Sequence, residues 1–124
     1  MSVERSLSQK DVRQAASVQR WVESLKRQSG IHIELDDPRI ALLAGFCRYM
    51  DTTPDEIISK CFRTNKSGQT VISSKYRRLF TEKMDEFVSK QGLQGHAAVT
   101  AANTLRSFLI HNGVFVGAAR PASF

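Results

Sequence analysis

Apolar residues along this chain recur mostly three and four apart, the spacing of a helix with one buried side. Val12, Ala15, Val18, Val22 and Leu25 follow it behind Ser8 and Asp11, a capping-box pair, and the run stops at Gly30. They predict a first helix over about 8–28. The stretch GIHIELDDP alternates briefly and ends in Asp37-Pro38, a cap followed by a first-turn proline, so a second helix starts there. Its body, RIALLAGFCRYM, is apolar around most of its circumference, with Arg39 and Arg48 as its only charges. Such a helix belongs at the centre of a fold.

Thr53, Pro54 and Glu56 repeat the punctuation and open a short helix over about 54–62. Residues 63–73, within RTNKSGQTVISS, have no helical period and predict a loop with a brief extended piece at Thr70-Val71-Ile72. Ser74 then caps a helix that buries Tyr76, Phe80, Met84, Phe87 and Val88 and stops at Gly92. Its outer face carries Arg78, Glu82, Asp85 and Glu86, the mixed signs of a solvated side. The last helix lies within GLQGHAAVTAANTLRSFLIHNG, residues 92–113, and ends at Asn112-Gly113 with Val114 packing back. With no repeat, no heptad and no strand pair strong enough for a sheet, the expected fold class is all-α, a compact bundle of four to five helices.

The last helix has an unusual polar side. His96, Thr100, Asn103, Ser107 and His111 fall into one narrow stripe opposite Ala98, Ala101, Leu105, Phe108 and Leu109. The stripe holds no Glu and no Lys, the residues that ordinarily fill a solvated helix face. Two readings stand. Short hydrogen-bonding groups without carboxylates suit contact with a polyanion, and the same groups suit close packing of one helix on another.

At 124 residues the chain is long enough for one domain. No apolar run approaches the ~18 residues that span a bilayer, and MSVERSLSQKD lacks the order of a secretory signal, so a cytoplasmic protein is expected. Cys47 and Cys61 lie among apolar residues and read as reduced packing residues. His32, His96 and His111 are too scattered for a metal site, and no phosphate loop, zinc helix or nucleophile elbow occurs. Neither catalysis nor a cofactor, metal or small-molecule substrate is expected within this chain. The formal net charge of +6 points toward an anionic partner such as nucleic acid.

The order of signals carries a resemblance. The apolar ALLAGFCRYM, the turn TPDEII, the helix YRRLFTEKMDEFV and then GL, Thr100 and LRSFLIHNGV follow one another over about residues 18–116. This resembles the core-binding, SAM-like helical domain of tyrosine recombinases, the phage-integrase family, and is most similar to its archaeal-type members. The resemblance implies a helical DNA-binding domain over 1–116 and, from 117 to 124, the start of a linker to a catalytic domain. It implies double-stranded DNA as partner, other recombinase protomers assembled on that DNA, and a nucleoid-associated location. The family's nucleophilic Tyr and its Arg, His and Lys activators belong to the catalytic domain, and none can be carried over to this chain. Three stretches depart from the family pattern: Gln94-Gly95 where a Ser or Thr cap is usual, Asp37-Pro38-Arg39 where a Thr-rich phrase is usual, and the long loop 63–73.

In that family the second and the last long helices lie in the DNA major groove. The residues so implicated here are His96, Thr100, Asn103, Arg106 and Ser107 on the last helix and Arg39 and Arg48 on the second, with Lys60, Arg63, Lys66 and Lys75 as a neighbouring phosphate-binding cluster. Lys10, Arg13, Arg20 and Arg27 give the first helix a basic side, either solvated or laid along the DNA backbone. The alternative from another class is a small helical protein–protein adaptor, docking through its basic surface and the tail GVFVGAARPASF.

Overall fold

The most apolar segment of the sequence forms the centre of the structure. A computed structural model describes residues 8–34 and 36–117. Among them are six helices, α1 (Gln9–Gln14), α2 (Ala16–Ser29), α3 (Pro38–Met50), α4 (Pro54–Lys60), α5 (Ser74–Lys90) and α6 (Gly95–Ile110). Two short strands, β1 (Phe62–Thr64) and β2 (Thr70–Ile72), stand between α4 and α5. The fold is an all-α bundle with one hairpin attached.

Ile40, Leu43, Phe46 and Cys47 of α3 are fully buried, and the surrounding helices bring Trp21, Met84, Leu105, Phe108 and Leu109 to the same core. Each such large side chain contributes roughly 1.5–3 kcal/mol by leaving water. Edge-to-face rings join the elements: Trp21 of α2 meets Phe108 of α6 at 5.6 Å, and Phe46 of α3 meets Phe87 of α5 at 5.8 Å. Gly45 makes the second contact possible. A Cβ there would lie 3.1 Å from Phe87 Cζ.

The first helix expected over 8–28 is two helices. Ala15 is extended, with φ −62° and ψ 140°, and separates α1 from α2. The reason lies elsewhere in the sequence. In a continuous helix the Ser17 N–H would donate four residues back, but here it donates to Asp55 Oδ1 at 2.8 Å. Asp55, from the first turn of α4, thereby supplies the cap that Ala15 cannot.

The expected loop 63–73 is a β-hairpin, so the absence of a strand pair expected from the sequence is corrected. Phe62 pairs with Ile72, Arg63 with Val71 and Thr64 with Thr70, antiparallel. Two consequences follow for neighbouring elements: α4 ends at Lys60, and the cap of α5 is Ser73, whose Oγ accepts from the Tyr76 N–H at 3.3 Å, in place of Ser74. The C-terminus of α6 is as expected. Gly113 takes φ +90°, the Val114 N–H donates to Leu109 O at 3.0 Å, and Val114 is fully buried. Apart from Gly117, the linker expected over 117–124 lies outside the described residues. Among the described residues no helix is long and apolar enough to cross a membrane.

Candidate nucleic-acid interface

The polar stripe of α6 divides into two halves. Toward the N-terminus His96 and Thr100 are exposed, with Thr100 Oγ1 3.5 Å from His96 Nε2. Toward the C-terminus α2 lies across the stripe. Trp21 Nε1–H donates to Ser107 Oγ at 3.0 Å, and His111 Nδ1 meets Ser24 Oγ. Arg20 Nε–H donates to Asn112 Oδ1 at 2.9 Å, and the Asn112 amide donates to Ser17 O at 3.0 Å. Close packing of one helix on another is therefore realised on the C-terminal half, while the N-terminal half stays open to solvent. Ser107 was implicated as a DNA contact and is corrected: its hydroxyl satisfies a buried indole between two helices. Asn103, between the halves, is half-buried and already engaged within the fold.

Three shallow grooves collect the remaining implicated residues apart from Arg48 and Lys66. The first separates α3 from α6, where Arg39, His96 and Thr100 stand around Leu42, Ala97 and Ala101. This groove unites the two helices that the resemblance lays in DNA. Its cation is partly neutralised, because Asp37 both caps α3 through the Arg39 N–H at 2.8 Å and pairs with Arg39 Nη1 at 2.9 Å. Arg48, at the other end of α3, is exposed and does not line this groove.

The second groove lies where α4, the hairpin and α5 meet. Lys60, Arg63 and Lys75 line it together with Phe62, Tyr76, Ser73 and Ser74. Lys75 Nζ also lies 5.4 Å from the Tyr76 ring centroid. Lys66 is exposed in the turn of the same hairpin. The third groove shares Ser74 with the second and runs between α5 and residues 115–117, lined by Arg77, Arg78, Thr81, Arg106 and Phe115. Arg106 is not free there. It holds Asp85 of α5 with both terminal nitrogens, at 2.7 and 3.1 Å, and its side chain is only 11% exposed. It fastens α6 to α5, and its expected role as a groove contact on the last helix is corrected to that extent.

Sequence reasoning missed Arg77 altogether and treated Arg78 as ordinary decoration. A signal for both was available. Residues 57–81 contain Lys60, Arg63, Lys66, Lys75, Arg77 and Arg78 and no Asp or Glu. The other twelve Lys and Arg are balanced by the twelve Asp and Glu, so this one stretch accounts for the whole net charge of +6. The hairpin gathers that charge onto one corner of the bundle. Among the described residues no carboxylate forms an ion pair with any of the six. Arg77 instead reaches Phe115 O at 3.4 Å. A corner of this kind attracts and holds polyanions through direct phosphate contacts and counterion release.

The two cysteines take no part. Burial pushes the Cys47 thiol up to about 12 and the Cys61 thiol up to about 11, so neither forms a reactive thiolate near neutrality. Compared with models of known protein families, with curated proteins and with solved structures, the chain matches none.

Proposed function

We propose that this bundle is a duplex-DNA-binding module, of the kind that tyrosine recombinases use as their core-binding domain. The observation that carries the reading is the concentration of the entire net charge on the end of α4, the hairpin and the start of α5, where Lys60, Arg63, Lys75, Arg77 and Arg78 line two grooves that meet at Ser74. Phosphates anchor there, and the exposed half of the α6 stripe, with His96 and Thr100 beside Arg39, supplies short donors and acceptors for base edges. The reading assigns no chemical step to this chain. Cleavage and joining of DNA would fall to a separate catalytic domain.

Titration of a labelled duplex tests it through a comparison of charge at two places. Arg63→Glu with Lys75→Glu removes two cations of the corner and adds two anions. Arg13→Glu with Arg27→Glu makes the same change in net charge on α1 and α2. The first pair is expected to weaken binding at low salt at least tenfold more than the second. Equal losses from both pairs would reduce the interaction to diffuse attraction, and absence of duplex binding by the unaltered chain would remove the reading.

A further inference from the structure

The hairpin is more than a connection. Its root is fixed: Phe62 and Ile72 pair with each other and pack on the core, and the Ser73 N–H donates to Cys61 O at 2.7 Å. Its end is fixed too. Asn65 Oδ1 accepts from the Ser67 N–H and the Gln69 N–H, both at 2.9 Å, while the Asn65 N–H donates to Gln69 O at 2.8 Å. The turn closes with the Gly68 N–H on Asn65 O at 3.0 Å, and Gly68 has φ +81°, a conformation that glycine adopts without strain. Residues 66–70 are all exposed. A connector needs neither this bracing nor this composition, since the tip presents Lys66, Ser67 and Gln69 with no carboxylate nearby in sequence.

Resting on the DNA-binding reading, we infer that the braced hairpin tip enters the minor groove of the duplex while the cations at its root hold the adjoining phosphates. The choice of groove follows from shape and from hydrogen-bonding sense. A two-stranded ribbon laid along its length fits the major groove, roughly 12 Å wide, but these strands have three residues each and their root is packed against the bundle. Only the end is available. That end narrows to Ser67 and Gly68, a small apex suited to a groove roughly 6 Å wide. The floor of the minor groove at A·T pairs offers acceptors alone.

The tip supplies donors. Lys66 Nζ has no ion pair among the described residues. Gln69 Oε1 accepts from Asn65 Nδ2 at 3.4 Å, and the Gln69 amide NH2 has no hydrogen-bond acceptor among the described residues. Lys and Gln are among the side chains that read minor grooves, and a narrow A·T groove strengthens the potential that draws a cation in. Because the turn is already ordered, little conformational freedom is lost on entry.

The test uses the whole chain, labelled duplexes of A·T-tract and G·C-rich sequence, and a small-molecule minor-groove ligand as competitor. The unaltered protein is expected to prefer the A·T tract and to be displaced from it by the competitor. Lys66→Ala with Gln69→Ala should lose about tenfold in affinity for the A·T tract and most of the preference, with the helical circular dichroism signal unchanged. Asn65→Ala, which frees the turn but keeps its donors, should show a smaller loss of the same preference. Salt-dependent duplex binding that ignores the competitor, ignores base composition and survives the double substitution would overturn the minor-groove assignment while leaving DNA binding intact. Failure of the unaltered chain to bind either duplex would overturn both.

Discussion

Single side chains decide which parts of the surface are open. Ser107 and Arg106 sit on one helix and were implicated together, yet each is committed to a different neighbour. Ser107→Ala deprives the fully buried Trp21 of its acceptor and is expected to cost about 1–2 kcal/mol in chemical denaturation, with duplex affinity unchanged. Asp85→Asn has the opposite profile. It removes the negative charge from a pair in which Asp85 is 55% exposed, releases Arg106 into a cationic groove, and should raise low-salt affinity for duplex by about two- to fivefold.

Asp55 shows how a residue remote in sequence sets a local boundary. Partial burial opposes its ionisation most, but together the hydrogen bonds from Ser17 and Ala16 and the Arg20 charge outweigh that and hold its carboxyl below the ordinary aspartate value. Its contribution to stability is therefore complete above the ordinary aspartate range and is lost as pH falls through the depressed value of the folded state. Asp55→Ala should cost about 1 kcal/mol near neutrality and flatten the acid limb of a stability-against-pH curve. Unchanged acid behaviour would mean that the cap is not held in solution.

At the scale of elements, the close approach of α3 to α5 hinges on Gly45. Gly45→Leu places a branched side chain against Phe87 and should destabilise the bundle by about 1–3 kcal/mol, lowering the thermal midpoint before any change in charge or groove. The helices were legible in the sequence because apolar spacing and capping residues are local: Thr53 and Glu56 form their box, Asp37 caps α3, and Gly113 ends α6. What was not legible depended on partners far along the chain. The break at Ala15 follows from a carboxylate 40 positions later, and the partial burial of Ser107 and His111 follows from the path of α2 across α6. The hairpin fell between these cases. Thr70-Val71-Ile72 has an extended pattern, but its partner strand contains only Phe62, Arg63 and Thr64, too short to show a period. Ser107 and Arg106 of the expected α6 face are thus engaged within the bundle, while Arg77 and Arg78 stand in the cationic corner beside the residues expected from the sequence.

Across the whole molecule, charge distribution matters more than net charge. A balanced body carries a corner of six cations, and the account stands on that corner meeting the phosphates of a duplex. The most direct measurement is the dependence of the duplex association constant on salt concentration. Engagement of five or six phosphates predicts a log–log slope of about −5, made shallower by about two in the variant with Arg63→Gln and Lys75→Gln. A slope near zero, or one that the paired substitution leaves unaltered, would contradict the account.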